Sequence, residues 1–191
     1  MTTNASPPPA KGAFADFPQL LAGTHWIEHL LDGTPVLIRP LRAEDREREE
    51  TFIRRLSPAA RRYRFLGSFR EASPALVDQL MEVDVPRKMA FVALLHDNGT
   101  LREIGVSRFA AATDAQQCEC AVTVADEWQH RGLGALLMRH LIEVARSNGY
   151  RRMVSLDDAS NQPMRELADF LGFRRESVPD DPGRVMHILD L

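Results

Sequence analysis

Gln129-His130-Arg131-Gly132-Leu133-Gly134-Ala135 decides the fold of this chain because of what flanks it. An apolar run, Ala121-Val122-Thr123-Val124-Ala125, comes before it. A long amphipathic run ending at Asn148-Gly149 comes after it. A strand therefore feeds a glycine-containing turn that opens a helix. Such a turn presents free backbone N–H groups and the positive end of a helix dipole to one point, which suits a phosphate-bearing ligand. The glycines alone do not settle the matter, since glycine also punctuates ordinary loops. A P-loop needs Lys and then Ser or Thr after its last glycine, where Ala135-Leu136 stand. The dinucleotide fingerprint needs a third small residue at a fixed offset, which Met138 and Arg139 fit poorly.

Working outward, Asp32-Gly33 between Thr24–Leu30 and Pro35–Arg39 signals an N-terminal β-hairpin. Helices are expected from Ala43 to Leu56, from Ser57-Pro58 to Phe65, and from Ser73-Pro74 to Met81. Ala90–Leu95, Ile104–Phe109 and Cys118–Ala125 read as strands. Leu133, Leu137, Leu141, Val144 and Ala145 keep helical spacing after the turn. Met153–Leu156 reads as a buried strand, Gln162–Leu171 as a helix closed by Gly172, and the rest as a final strand pair that includes Val185–Leu189. This order gives an α/β (α+β) architecture: a mixed sheet of six to seven strands, helices on both faces, and the hairpin beside it. Cys118 to Leu156 forms a right-handed crossover between parallel strands.

A length of 191 residues fits one domain over 22–191, with a Pro- and Ala-rich disordered tail over 1–21. The tail lacks the charged-then-apolar order of a signal peptide. A formal net charge of -3 gives no sign of nucleic-acid binding. No apolar stretch reaches membrane-spanning length. The two cysteines, Cys118 and Cys120, lie two apart on a strand and are not placed to bridge each other. With no histidine at finger spacing, no metal site is expected, and a reducing cytoplasm is the simplest compartment. His25, His29, His96, His140 and His187 are scattered and read as surface or packing residues.

The spacing Gln129-x-x-Gly132-x-Gly134-Ala135 after Val122-Thr123-Val124 resembles the acetyl-CoA pyrophosphate loop of the GNAT (general N-acetyltransferase) superfamily. The likeness covers about Thr34 to Leu191. It sharpens at Ile38-Arg39-Pro40-Leu41-Arg42-Ala43-Glu44-Asp45, at Leu56-Ser57-Pro58 with Arg64-Phe65, and at Val83 to Ala93. These segments are similar to the catalytic domain of bacterial protein lysine acetyltransferases, which often modify a lysine of acyl-CoA synthetases. The resemblance implies a fold in which two parallel strands splay and acetyl-CoA lies between them. It implies transfer of acetyl to a primary amine, foremost a protein lysine. A small-molecule amine acceptor and a non-catalytic acyl-CoA-binding regulatory module are the competing functions. The hairpin also leaves room for a homodimer.

Acetyl transfer needs the thioester held, its carbonyl polarised and the incoming ammonium deprotonated. The resemblance assigns the cofactor to the main chain of Val122, Thr123 and Val124 and to the turn Gln129, His130, Arg131, Gly132, Leu133, Gly134 and Ala135. It adds Asn161, which equally reads as the N-cap before Pro163. Glu119 is the general-base candidate. Strand alternation puts it opposite Cys118 and Cys120, and a carboxylate in an apolar strand is costly unless paired or functional. Burial there would suit it to accept a proton. Asp157-Asp158 read either as attractors of a cationic acceptor or as caps of the next turn. The tyrosine that many relatives use as general acid is replaced by Ala168.

Overall fold

The computed structural model describes residues 24–67, 73–114 and 116–191. The tail expected over 1–21 lies outside them. The Asp32-Gly33 turn forms as its residues dictate. Gly33 adopts φ 83°, which glycine alone reaches without strain, and the Thr34 N–H donates to Asp32 Oδ1 at 3.0 Å. It joins β1 (Trp26–His29) to β2 (Pro35–Pro40). Three helices follow: α1 (Arg46–Arg55), α2 (Pro58–Phe65) and α3 (Pro74–Met81). Ser57 caps α2 by accepting the Ala60 N–H, and Ser73 caps α3 by accepting the Leu76 N–H. A proline takes an early position in each.

The strands β3 (Lys88–Asp97), β4 (Thr100–Ala111) and β5 (Gln117–Val124) continue an antiparallel meander from β2. Helix α4 (Leu133–Ser147) then crosses over to β6 (Arg152–Asp158), which runs parallel to β5. After α5 (Gln162–Leu171), β7 (Arg174–Ser177) and β8 (Arg184–Asp190) complete one sheet in the order β1-β2-β3-β4-β5-β6-β8-β7. Among the described residues the sheet therefore has eight strands, not six to seven. The hairpin is no appendage, because β2 pairs with β3 and brings β1 into the same ladder.

Each face of the sheet carries its own core. Leu133, Leu137, Met138 and Leu141 of α4 pack on Met89, Phe91, Ile104, Phe109, Cys118 and Cys120. Phe52 and Ile53 of α1, Leu56 just after it and Leu80 of α3 pack on Ala90, Val92, Leu94 and Val106. The alternation of β3 explains this division. On β4 the alternation is broken once. Ala93 pairs with Gly105 but Leu94 with Glu103, so Ile104 is an extra residue. This bulge brings Glu103 onto the α1 face with Arg108, where Arg108 donates to Glu49 and the charge of Glu49 acts on Glu103.

One feature of the sheet creates the site. β5 and β6 pair only at Gln117/Arg152, Cys118/Met153 and Glu119/Val154. Beyond these pairs β5 runs on to Val124 and β6 to Asp158 with no ladder between them, and the sheet opens into a V.

Candidate active site

The V leads into a cleft of about 1130 Å³, lined by β5 from Glu119, the turn before α4, Ser155 to Asp157 of β6, α5 and α2. Ordinary small-molecule sites occupy roughly 300–1,000 Å³, so there is room here for a long ligand with a second reactant. Both arms of the V, the turn and two helices of the sequence-derived reading meet in this one space.

The turn has the predicted anion-binding form. His130 and Gly132 take positive φ (59° and 85°), and Gly132 is the N-cap of α4. Leu133, Gly134 and Ala135 form the first helical turn, whose N–H groups have no intrahelical acceptor. Gln129 secures the start of the turn through Nε2, which donates to the Val124 carbonyl at 3.3 Å. Gly134 sits close to α5: a Cβ there would meet Leu167 Cδ2 at 3.2 Å, so that side chain would have to shift by a few tenths of an ångström. The hairpin braces the turn from outside. The Leu31 N–H donates to the Arg131 carbonyl at 3.0 Å, and the Arg131 guanidinium pairs with Asp32 at 2.9 Å and lies over Trp128. Arg131 thus offers the cleft its main chain more than its charge.

Along β5, the Ala125 N–H donates to Ile104 of β4 at 2.9 Å. Antiparallel alternation then directs the N–H groups of Val122 and Val124 away from β4, toward the open V. Thr123 between them is buried, and its hydroxyl has no partner among the described residues. Asn161 lines the cleft and caps α5, accepting the Met164 N–H at 3.2 Å.

Glu119 stands at the last β5–β6 pair, where the V begins, and lines the cleft. The burial expected of it is not found. Its side chain is exposed, although its backbone is still paired with Val154 of β6. What surrounds it is charge. Arg64 of α2 is partly buried and lines the same cleft. Burial and the neighbouring Arg108 push its guanidinium down to about 10, against the opposing pull of Glu49, Glu119 and Asp157. Arg64 lies over the Phe65 ring and makes no hydrogen bond or ion pair with any described residue. Arg108 is already committed, donating to Glu49 at 2.6 Å and to the Leu80 carbonyl at 2.7 Å.

The β6 arm carries a group whose partners the sequence did not reveal. Asp157 is buried, and its Oδ2 receives the Ser155 hydroxyl at 2.8 Å and faces His187 Nδ1 at 2.9 Å. His187 is fully buried, not a surface residue. Its registry opposite Ser155 brings it to Asp157, and only strand pairing could have shown this. Asp158 takes the other role considered for this pair. Its Oδ1 caps the turn through the Ser160 N–H and hydroxyl, which hold its carboxyl below the usual range. Burial pushes the Cys118 thiol up to about 12, and burial with nearby negative charge pushes Cys120 up as well, so neither is a ready nucleophile. Ala168 is buried against α4, leaving no tyrosine at that place.

Comparison with known proteins agrees with this geometry. The model of the acetyltransferase (GNAT) family matches residues 50–173. Acetyltransferase PA5475 of Pseudomonas aeruginosa is 60% identical over 169 residues, 88% of this chain and 91% of that protein. Acetyltransferase Pat of Mycolicibacterium smegmatis is 34% identical over 130 residues, which span 68% of this chain but 38% of Pat. Among solved structures, the GNAT domain of S. lividans PAT superposes with a TM-score of 0.79 at 25% identity, covering 87% of this chain and 97% of that one. The split sheet, the glycine turn that opens α4 and these likenesses lead to one conclusion: the chain belongs to the GNAT family and is an acetyltransferase.

Proposed function

We propose that the protein transfers the acetyl group of acetyl-CoA to a primary amine, most directly the side chain of a protein lysine, with Glu119 as general base. The observation that carries the reading is the position of Glu119. It is the one carboxylate on β5 at the point where the sheet opens, beside the edge whose N–H groups are unpaired. The turn from Gln129 to Ala135 would hold the pyrophosphate, with Asn161 beside the donor. Val122 and Val124 would meet the pantetheine arm and the acetyl oxygen through their main chain. The acceptor ammonium passes one proton to Glu119, and its nitrogen bonds to the thioester carbon. The C–S bond breaks, its electron pair leaves on the CoA sulfur, and the second amine proton reaches that sulfur through water. Water takes this part because Ala168 offers no acid. The lysine acceptor, such as one on an acyl-CoA synthetase, rests on the resemblance of residues 38–45 and 83–93 to bacterial protein lysine acetyltransferases, and the cytoplasmic setting on the two unbridged cysteines.

A small amine is the second reading, and one observation favours it. Helix α2 reaches across the V. Ser57 donates to Asp126 beyond β5, and Arg62 donates to Ser160 beyond β6, so the acceptor side is partly roofed. Acetyl-labelled acetyl-CoA given to a cell extract, followed by separation by size, decides between the two. Discrete labelled proteins with wild type and none with Glu119→Gln support the lysine reading. Label confined to small molecules transfers the conclusion to a metabolite amine. A Glu119→Gln protein that binds acetyl-CoA normally should lose about 10²–10⁴ in kcat/KM. Full activity in that variant removes Glu119 from the mechanism.

A further inference from the structure

We infer that Asp157 is the residue that grips the acceptor's alkylammonium group, opposite Glu119 across the V. This deepens the reading just given and rests on it. Asp157 is 9% exposed, yet it lines the cleft. Its Oδ2 is satisfied twice, by Ser155 and His187, while Oδ1 has no partner among the described residues and is left to the cleft. A buried carboxylate keeps its charge only when paired and hydrogen-bonded. Here the protein supplies the partners of one oxygen and leaves the other to whatever enters.

His187 strengthens the argument. It is fully buried, and its Nε2 has no partner among the described residues. Leaving a ring nitrogen unpaired in the interior is unfavourable. The polar contact the ring does make is to Asp157, at 2.9 Å. Ser155 and His187 together fix the plane and rotamer of the carboxylate, which is preorganisation for a ligand.

The charges around the site identify the ligand class. Glu119 on β5 and Asp157 on β6 line the same cleft, and the charge of each acts on Arg64, which lines it too. Arg108, which also acts on Arg64, is paired with Glu49. A carboxylate oxygen left open at the cleft wall accepts from a cationic donor, and an alkylammonium is the cation that an acetyl acceptor brings. Asp157 accepts an N–H of that ammonium while Glu119 takes the proton that leaves. A lysine side chain and a polyamine share this chemistry.

The test is steady-state kinetics of the whole protein with a pool of N-terminally blocked lysine peptides, and separately with spermidine. Asp157→Asn should raise the acceptor KM by about 10–100-fold, the range expected for one lost hydrogen bond to a charged group. The KM for acetyl-CoA and the Tm should stay near wild type. Asp157→Glu, which restores the charge on a longer arm, should recover part of the loss. His187→Leu should raise the acceptor KM in the same direction by less, with kcat nearly unchanged. The peptide and spermidine arms tell which source of alkylammonium is used. An unchanged acceptor KM in Asp157→Asn overturns the inference. So does a fall in kcat alone, or a parallel loss of acetyl-CoA affinity and Tm, which would make Asp157 a strut. If wild type turns over neither probe and labels nothing in extract, the proposed function itself fails and the inference goes with it.

Discussion

At the scale of single residues, burial decides which charges the protein keeps. Glu103 is buried on β4 beside Glu49. Burial, then the neighbouring charge of Glu49, push its carboxyl well above the usual carboxylate range. The folded state therefore holds a proton there that the unfolded chain releases near its ordinary value. Stability from this group is complete below the unfolded value and is lost as pH rises toward the folded one. Glu103→Gln, which keeps a donor toward Glu49, should flatten the decline of the urea midpoint between pH 5 and pH 9. A wild-type midpoint that rises over this range would reverse the sign and count against the proton. Gly132 is a second residue with a single role. At φ 85° any side chain strains the backbone, and a Cβ would also meet Leu31 Cγ at 3.3 Å. Gly132→Ala should lose about 1–2 kcal/mol in thermal unfolding and should weaken acetyl-CoA binding through the same turn.

Among elements, α2 is short but is held from both ends. Ser57 caps it and donates its N–H and hydroxyl to Asp126 at 3.0 and 2.7 Å. The far end is tied by Arg62 to Ser160 and by Arg184, which donates to the Leu66 carbonyl at 2.9 Å. Because α2 carries Arg64 and Tyr63 into the cleft, these ties set the acceptor wall. Asp126→Ala removes two hydrogen bonds, each worth about 1 kcal/mol. Faster hydrogen exchange in α2 and a higher acceptor KM should follow. Exchange no faster than in wild type would show that the packing of Phe65 and Ala60 holds the helix alone. The hairpin is the other bracing element. Trp26 stacks on His140 of α4 at 4.0 Å, and His140 Nε2 meets Glu28 at 2.8 Å. Trp26→Ala should cost about 1–3 kcal/mol and loosen the hairpin whose tip supports Arg131. A calorimetric comparison of Tm and acetyl-CoA affinity would check both effects.

At the scale of the whole molecule, function comes from a defect in the sheet. Seven neighbouring strand pairs build one surface, and the β5–β6 pair is abandoned after three residue pairs. The helices behind each face keep the two halves together while the gap stays open. Local sequence determined much of this. Periodicity and caps marked the helices and strands, and Gln129 to Ala135 marked the turn, because these features depend on neighbours within a few residues. Glu119 was legible as an acidic break in an apolar strand, but its exposure was not, since that depends on which distant segments pack over its face of the sheet. Asp157 was visible as a carboxylate, whereas its link to His187 needed the β6–β8 register. Arg64 was legible only as part of a resemblance, and its place in the same cleft as both carboxylates depends on where α2 crosses the V. The chain thus determined by itself what repeats locally: elements, caps and the glycine turn before α4. Tertiary structure alone decided the split, the burial of each charge and the meeting of Glu119, Asp157 and Arg64, because these depend on contacts between segments far apart in sequence.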